Sequence, residues 1–133
     1  MPGYSGTPLP KKLGIKDGFR VSLTNAPPEV VRELKLSLAK CDVADDKSQL
    51  DFGVIFTASA TSLTRDFKRV AKQLAPAGML WVSWPKKSSG VPTDLNENIV
   101  RDIGLAAGLV DVKVCAVTDI WSGLKFVRRL KDR

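Results

Sequence analysis

The chain has no histidine, two cysteines and one tyrosine among its 133 residues. Without imidazole it cannot build a Ser–His–Asp or Cys–His catalytic group, nor a metal site that depends on histidine. Cys41 and Cys115 are too few and too far apart for a zinc ribbon or a C-x-x-C redox pair. They are expected as free thiols in a reducing compartment, with Cys115 acting as a small buried hydrophobe. No apolar run reaches the ~18–20 residues of a spanning helix, and the first twenty residues lack a secretory h-region. No membrane contact, no metal and a cytoplasmic location follow as expectations. Acidic side chains are also scarce, 14 against 21 Lys and Arg, for a formal net charge of +7 and a pI near 9.7.

What is present suits one α/β domain spanning 1–133, in which 1–17 form an N-terminal arm packed on the rest. Hydrophobic residues make up 44% and charged residues 26%, ordinary globular values that argue against disorder. Phe19, Val21 and Leu23 alternate with Arg20, Ser22 and Thr24, the period of a strand. Pro27-Pro28 sets the φ of a helix start, and Val30, Leu34 and Leu38 share one face of a helix from about 28 to 40. An acidic loop with Asp42, Asp45 and Asp46 follows, with room for a short edge strand near Val43. Phe52–Phe56 and Met79–Trp84 are apolar without alternation, as strands covered on both faces are. Between them lies a helix capped by Ser59 or Thr61, with Leu63, Phe67, Val70 and Leu74 inward. Thr93 is the expected cap of a third helix carrying Leu95, Ile99, Ile103 and Ala107, which ends at Gly108. Val110, Val112 and Val114 mark a fourth strand and Leu124–Leu130 a fifth.

Strands alternating with helices predict a mostly parallel, three-layer sheet with right-handed crossovers. The last two strands are joined by only about five residues, enough for a hairpin and too few for a crossover, so the final strand should be antiparallel. Numbered along the chain, the five strands should lie in the order 1-2-3-5-4. Val21, Val54, Ile55, Leu80, Val82, Val112 and Phe126 should be buried. In the arm, Leu13 and Ile15 should dock on the body, with Tyr4 to Thr7 draped over the surface as a leader, lid or dimer arm.

Two resemblances attach to these residues. The strand DFGVIF (51–56), the segment KRVAKQLAPAGMLWVSW (68–84), IGLAAGLVDVKV (103–114) and the closing strand resemble the C-terminal half of a Rossmann-like S-adenosylmethionine-dependent methyltransferase. More closely, Pro8 with KKLGI (11–15), GMLWVSWPKK (78–87) and AAGLVDVKV with WSGLKFVRRL (106–114, 121–130) resemble bacterial domain-of-unknown-function family 3052. The resemblance implies a Rossmann-like, methyltransferase-type fold and carries no activity with it. One departure bears on the cofactor. Methyltransferases place a GxGxG-type turn after the first strand and an acidic residue at the end of the next. Here the first strand ends Thr24-Asn25-Ala26-Pro27-Pro28, without glycine, and the next strand is reduced.

Ligands on open α/β sheets sit beyond the carboxyl ends of the parallel strands. Those ends supply Asn25, Thr57, Ser59, Trp84 and Lys86, with Trp121 in the last turn, as candidate ligand-binding residues. Hydroxyl and amide donors beside one ammonium suit a small anion. No general base stands among them, so no catalytic residue is assigned. The reading from sequence is a small cytosolic binding or regulatory module without catalysis or cofactor, taking a small anionic ligand. A divergent methyltransferase using S-adenosylmethionine and a basic nucleic-acid-associated protein are the alternatives. Nucleic acid is disfavoured, because the basic residues divide between both termini and a helix exterior with no recognition motif. Assembly into a homo-oligomer stays open.

Overall fold

The computed structural model describes residues 6–43 and 49–133. Its elements are α1 (Leu9–Leu13), β1 (Arg20–Thr24), α2 (Pro28–Leu38), β2 (Asp42–Val43), β3 (Leu50–Phe56), α3 (Ala60–Ala71), β4 (Leu74–Pro85), α4 (Glu97–Ala106), β5 (Leu109–Ala116) and β6 (Trp121–Arg128). The strands form one sheet in the order β2-β1-β3-β4-β6-β5. β2, β1, β3 and β4 are mutually parallel, whereas β6 runs antiparallel to both β4 and β5. Leaving out the two-residue edge strand β2, this is the expected order with the expected antiparallel closing strand. The carboxyl ends of β1, β3 and β4 therefore share one sheet edge, where Trp121 also lies, opposite Pro85 in the ladder.

Each face of the sheet has its own apolar layer. On one side Ile55, Leu80, Val82, Leu124 and Phe126 meet Leu63, Phe67 and Val70 of α3 and Val100 of α4. On the other side Val21, Phe52, Val54 and Trp81 meet Leu9 and Leu13 of α1 and Val30 and Leu34 of α2. Helices on both faces explain why β3 and β4 carry unbroken apolar runs. Two glycines allow the close approach. A Cβ on Gly53 would stand 2.9 Å from Val70 Cγ1, and one on Gly104 would overlap the ring of Phe126. The arm is pinned by polar contacts as well as by Leu9, Leu13 and Ile15, for Trp81 Nε1 donates to the Leu13 carbonyl at 2.8 Å and Lys12 Nζ to the Ala116 carbonyl at 2.7 Å. Of the segment expected to drape over the surface, Gly6 and Thr7 are exposed, and Tyr4 and Ser5 lie outside the described residues, as do Asp45 and Asp46.

Several local expectations are corrected. Val112 is 55% exposed, because it is the extra residue of a bulge. Asp111 lies opposite Phe126 and Lys113 opposite Lys125, leaving Val112 without a partner on an outer strand. α4 begins one turn later than Thr93 would place it. Asn96 is its cap, accepting from Ile99 N–H at 2.9 Å, while the Thr93 hydroxyl donates to the Ala58 carbonyl at 2.7 Å. Its buried positions are Val100 and Gly104, with Ile99 turned toward solvent. β4 starts at Leu74, five residues before Met79, through an irregular stretch in which a Gly78 Cβ would overlap the Leu50 carbonyl. β6 ends at Arg128, whose Nη2 donates to the carbonyls of Ala71 and Leu74 at 2.8 and 2.9 Å. Among the described residues no helix is long and apolar enough to cross a membrane.

Candidate functional site

At the end of β1 the chain turns on Asn25, whose φ of 57° is left-handed. Asparagine tolerates that region better than any other residue except glycine, so it supplies the sharp turn without a glycine. α2 then starts without a side-chain cap. The Pro27 carbonyl accepts from Val30 and Val31 N–H at 3.0 and 3.1 Å, and the two prolines have no N–H to satisfy. Thr24 Oγ1 accepts from Arg69 Nη2 of α3 at 3.3 Å.

At the end of β3 the hydroxyls are occupied by the turn into α3. Thr57 Oγ1 accepts from Ser59 N–H at 3.2 Å, and Ser59 Oγ accepts from Ser62 N–H at 3.3 Å as the helix cap. Asp94 Oδ1 accepts from Ala60 N–H at 2.8 Å, tying the stretch before α4 to this corner.

At the end of β4 the arrangement opens. A cavity of about 710 Å³ lies between the segment after β4, the start of α4 and Ser122 of β6. Trp84 is only 5% exposed and packs in the core beside Leu95, yet both residues also line the cavity. The Lys86 N–H donates to the Ile120 carbonyl at 2.7 Å, anchoring the segment, and half-buried Lys86 and exposed Lys87 both line the cavity. Glu97, the acidic side chain in the lining, is paired with Arg101, which also holds Asp111 Oδ2 at 2.9 Å. Those hydrogen bonds push the Arg101 guanidinium up and hold the Asp111 carboxyl below its usual range.

Of the six residues expected to bind a ligand, Trp84 and Lys86 come together in this cavity. Asn25, Thr57 and Ser59 belong to the neighbouring strand ends, and Trp121 packs edge-on against Phe56 at 5.2 Å. Sequence reasoning placed Lys87 beside Lys86 at this strand end and missed Asn96, Glu97 and Ser122. Asn96-Glu97 carried a usable signal, a capping residue followed by an acidic first turn ahead of Ile99 and Val100. Ser122 carried none, since the β4–β6 pairing brings it there. Both cysteines are half-buried free thiols, and burial pushes both thiols up.

No family model and no curated protein matches the sequence. Solved structures do match in fold. A SAM-dependent methyltransferase from Aquifex aeolicus is 16% identical, with a TM-score of 0.61 over 87% of this chain and 85% of that one. Magnesium protoporphyrin IX methyltransferase from Synechocystis PCC 6803, with bound SAM, is 9% identical, with a TM-score of 0.60 over 91% and 74%. The 1,6-didemethyltoxoflavin-N1-methyltransferase of Burkholderia thailandensis, holding its substrate and S-adenosylhomocysteine, is 11% identical, with a TM-score of 0.57 over 90% and 74%.

These likenesses correct two expectations from sequence, the non-catalytic binding module and the absence of a cofactor. The neighbours favour the methyltransferase alternative, and S-adenosylmethionine with it. The physical reason lies at β1. The glycine is absent, but Asn25 is left-handed at that turn, and the strand read as missing or reduced is the two-residue β2, parallel to β1. The chain has a Rossmann-like, methyltransferase-type α/β fold.

Proposed function

We propose that this one-domain chain is an S-adenosylmethionine-dependent methyltransferase acting on a small-molecule acceptor in the cytoplasm. The observation that carries the reading is the six-stranded sheet with its antiparallel β6, held in common with methyltransferases that cover nearly all of this chain. When bound, S-adenosylmethionine supplies an electrophilic methyl group on a cationic sulfonium. The β1 end fits such a group. Its turn is left-handed at Asn25, and α2 opens on two prolines that offer no donors to a phosphate. In this reading Asn25, Thr57 and Ser59 shape the cofactor side of the edge, while Trp84, Lys86 and Trp121 shape the acceptor side. Thr57 and Ser59 act by fixing the β3–α3 corner, because their hydroxyls are already bonded. The half-buried free thiols Cys41 and Cys115 suit a reducing cytoplasm. Assignment to domain-of-unknown-function family 3052 is supported by KKLGI, GMLWVSWPKK and the C-terminal segments.

Calorimetric titration with S-adenosylmethionine and S-adenosylhomocysteine tests the reading. Saturable binding of both, weakened by Asn25→Val and kept by Asn25→Gly, is expected, since only the β-branched residue resists a positive φ. No binding of either by the wild-type chain would overturn it.

A further inference from the structure

The cavity beyond β4 has a definite charge. Two of the three charged side chains in its lining are Lys86 and Lys87, and the third, Glu97, shares the Arg101 guanidinium with Asp111, so the cations still outnumber the anions across the lining and this cluster. Asn96 spends its carbonyl oxygen on the Ile99 N–H, which leaves its NH₂ as a donor. The remaining lining combines Thr93 and Ser122 with Val91, Pro92, Leu95 and the nearly buried Trp84. Two cations and a donor amide beside the apolar side chains of Val91, Pro92 and Leu95 match a molecule that is acidic at one end and apolar at the other. The volume of about 710 Å³ falls within the range of small-molecule sites.

We infer that this cavity receives an organic acid with an apolar body as the methyl acceptor, its anionic group held by Lys86 and Lys87 and its apolar part against Pro92 and Leu95. The inference rests on the methyltransferase reading and narrows its substrate class. Lysine acts there as a point charge on a flexible stem, so it selects for negative charge and tolerates variation in the rest of the molecule.

Titrating the full chain calorimetrically with 2-naphthoate and with its uncharged amide tests the inference. The acid should bind about tenfold or more tighter than the amide, the difference of one charge-assisted contact. That preference should vanish in the Lys86→Ala/Lys87→Ala double variant and survive in Lys86→Arg/Lys87→Arg. Equal affinity for acid and amide, an undiminished preference in the alanine variant, or no binding of either compound would overturn the inference. S-adenosylmethionine titrated into the same proteins keeps the two readings apart. Cofactor binding without acid preference counts against the acceptor class alone, whereas a wild-type chain that binds no cofactor counts against the methyltransferase reading.

Discussion

The ends of β1 and β3 differ from the end of β4 in where their polar groups are spent, although all three lie along one sheet edge. At β3 the Thr57 and Ser59 hydroxyls close the turn and cap α3, and at β1 Thr24 takes a hydrogen bond from Arg69. At β4 the hydroxyls are spent too, Ser83 on the Ser122 carbonyl and Ser89 on the Lys86 carbonyl, but Lys86 and Lys87 line a cavity. A short strand-to-helix connection uses up its polar side chains to satisfy the helix start. The longer path from Pro85 to Glu97 satisfies its own helix with Asn96, which leaves its lysines available. Chemistry-bearing residue types at a strand end therefore do not define a site until their hydrogen-bond partners are known.

Substitutions can break or sharpen that contrast. The largest effect belongs to Trp84, which serves both roles. Trp84→Ala should cost about 3–5 kcal/mol of stability by leaving a cavity in the core and should also weaken 2-naphthoate binding, seen by chemical denaturation and calorimetry on the same variant. Asn25→Val should cost about 1–2 kcal/mol, the strain of a left-handed β-branched residue, with Asn25→Gly close to wild type in the same denaturation series. Ser59→Ala should cost about 1 kcal/mol by removing the α3 cap, while the acid-over-amide preference stays unchanged. Lys86→Ala should reverse that pattern, with stability within about 0.5 kcal/mol of wild type and weakened acid binding.

The smallest effect concerns the ion-paired cluster behind the cavity. The Arg101 hydrogen bond lowers the Asp111 pKa, so its contribution is present above the ordinary aspartate range and is lost as pH falls through the lower folded value. Asp111→Asn should therefore lose less stability on acidification than the wild-type chain in denaturation curves taken from neutral pH downward. Equal acid limbs would show that the pair contributes nothing.

The sequence made the edge of the sheet legible but not the division of labour along it. Trp84 and Lys86 could be placed at this edge because apolar residues 79–84 fix a central strand, and its carboxyl end is where open sheets take ligands. Ser59 could equally be a cap or a ligand contact, since a hydroxyl before a helix fits both. The missing glycine after β1 pointed away from the cofactor, because φ at Asn25 cannot be read from residue type alone.

By itself the sequence determined the element order from β1 onward, the two-sided burial of β3 and β4, and the antiparallel last strand. These follow from periodicity within each segment and from a connection between β5 and β6 too short for a crossover. Tertiary structure alone decided that Val112 bulges out, that α4 crosses β6 at Gly104, and that Lys86, Lys87, Asn96 and Ser122 surround one cavity. Each of these depends on register between segments far apart in the chain, and no local pattern encodes it. The Asp111–Phe126 and Lys113–Lys125 pairs set the bulge, and the Trp84–Ser122 pair brings β6 to the cavity wall.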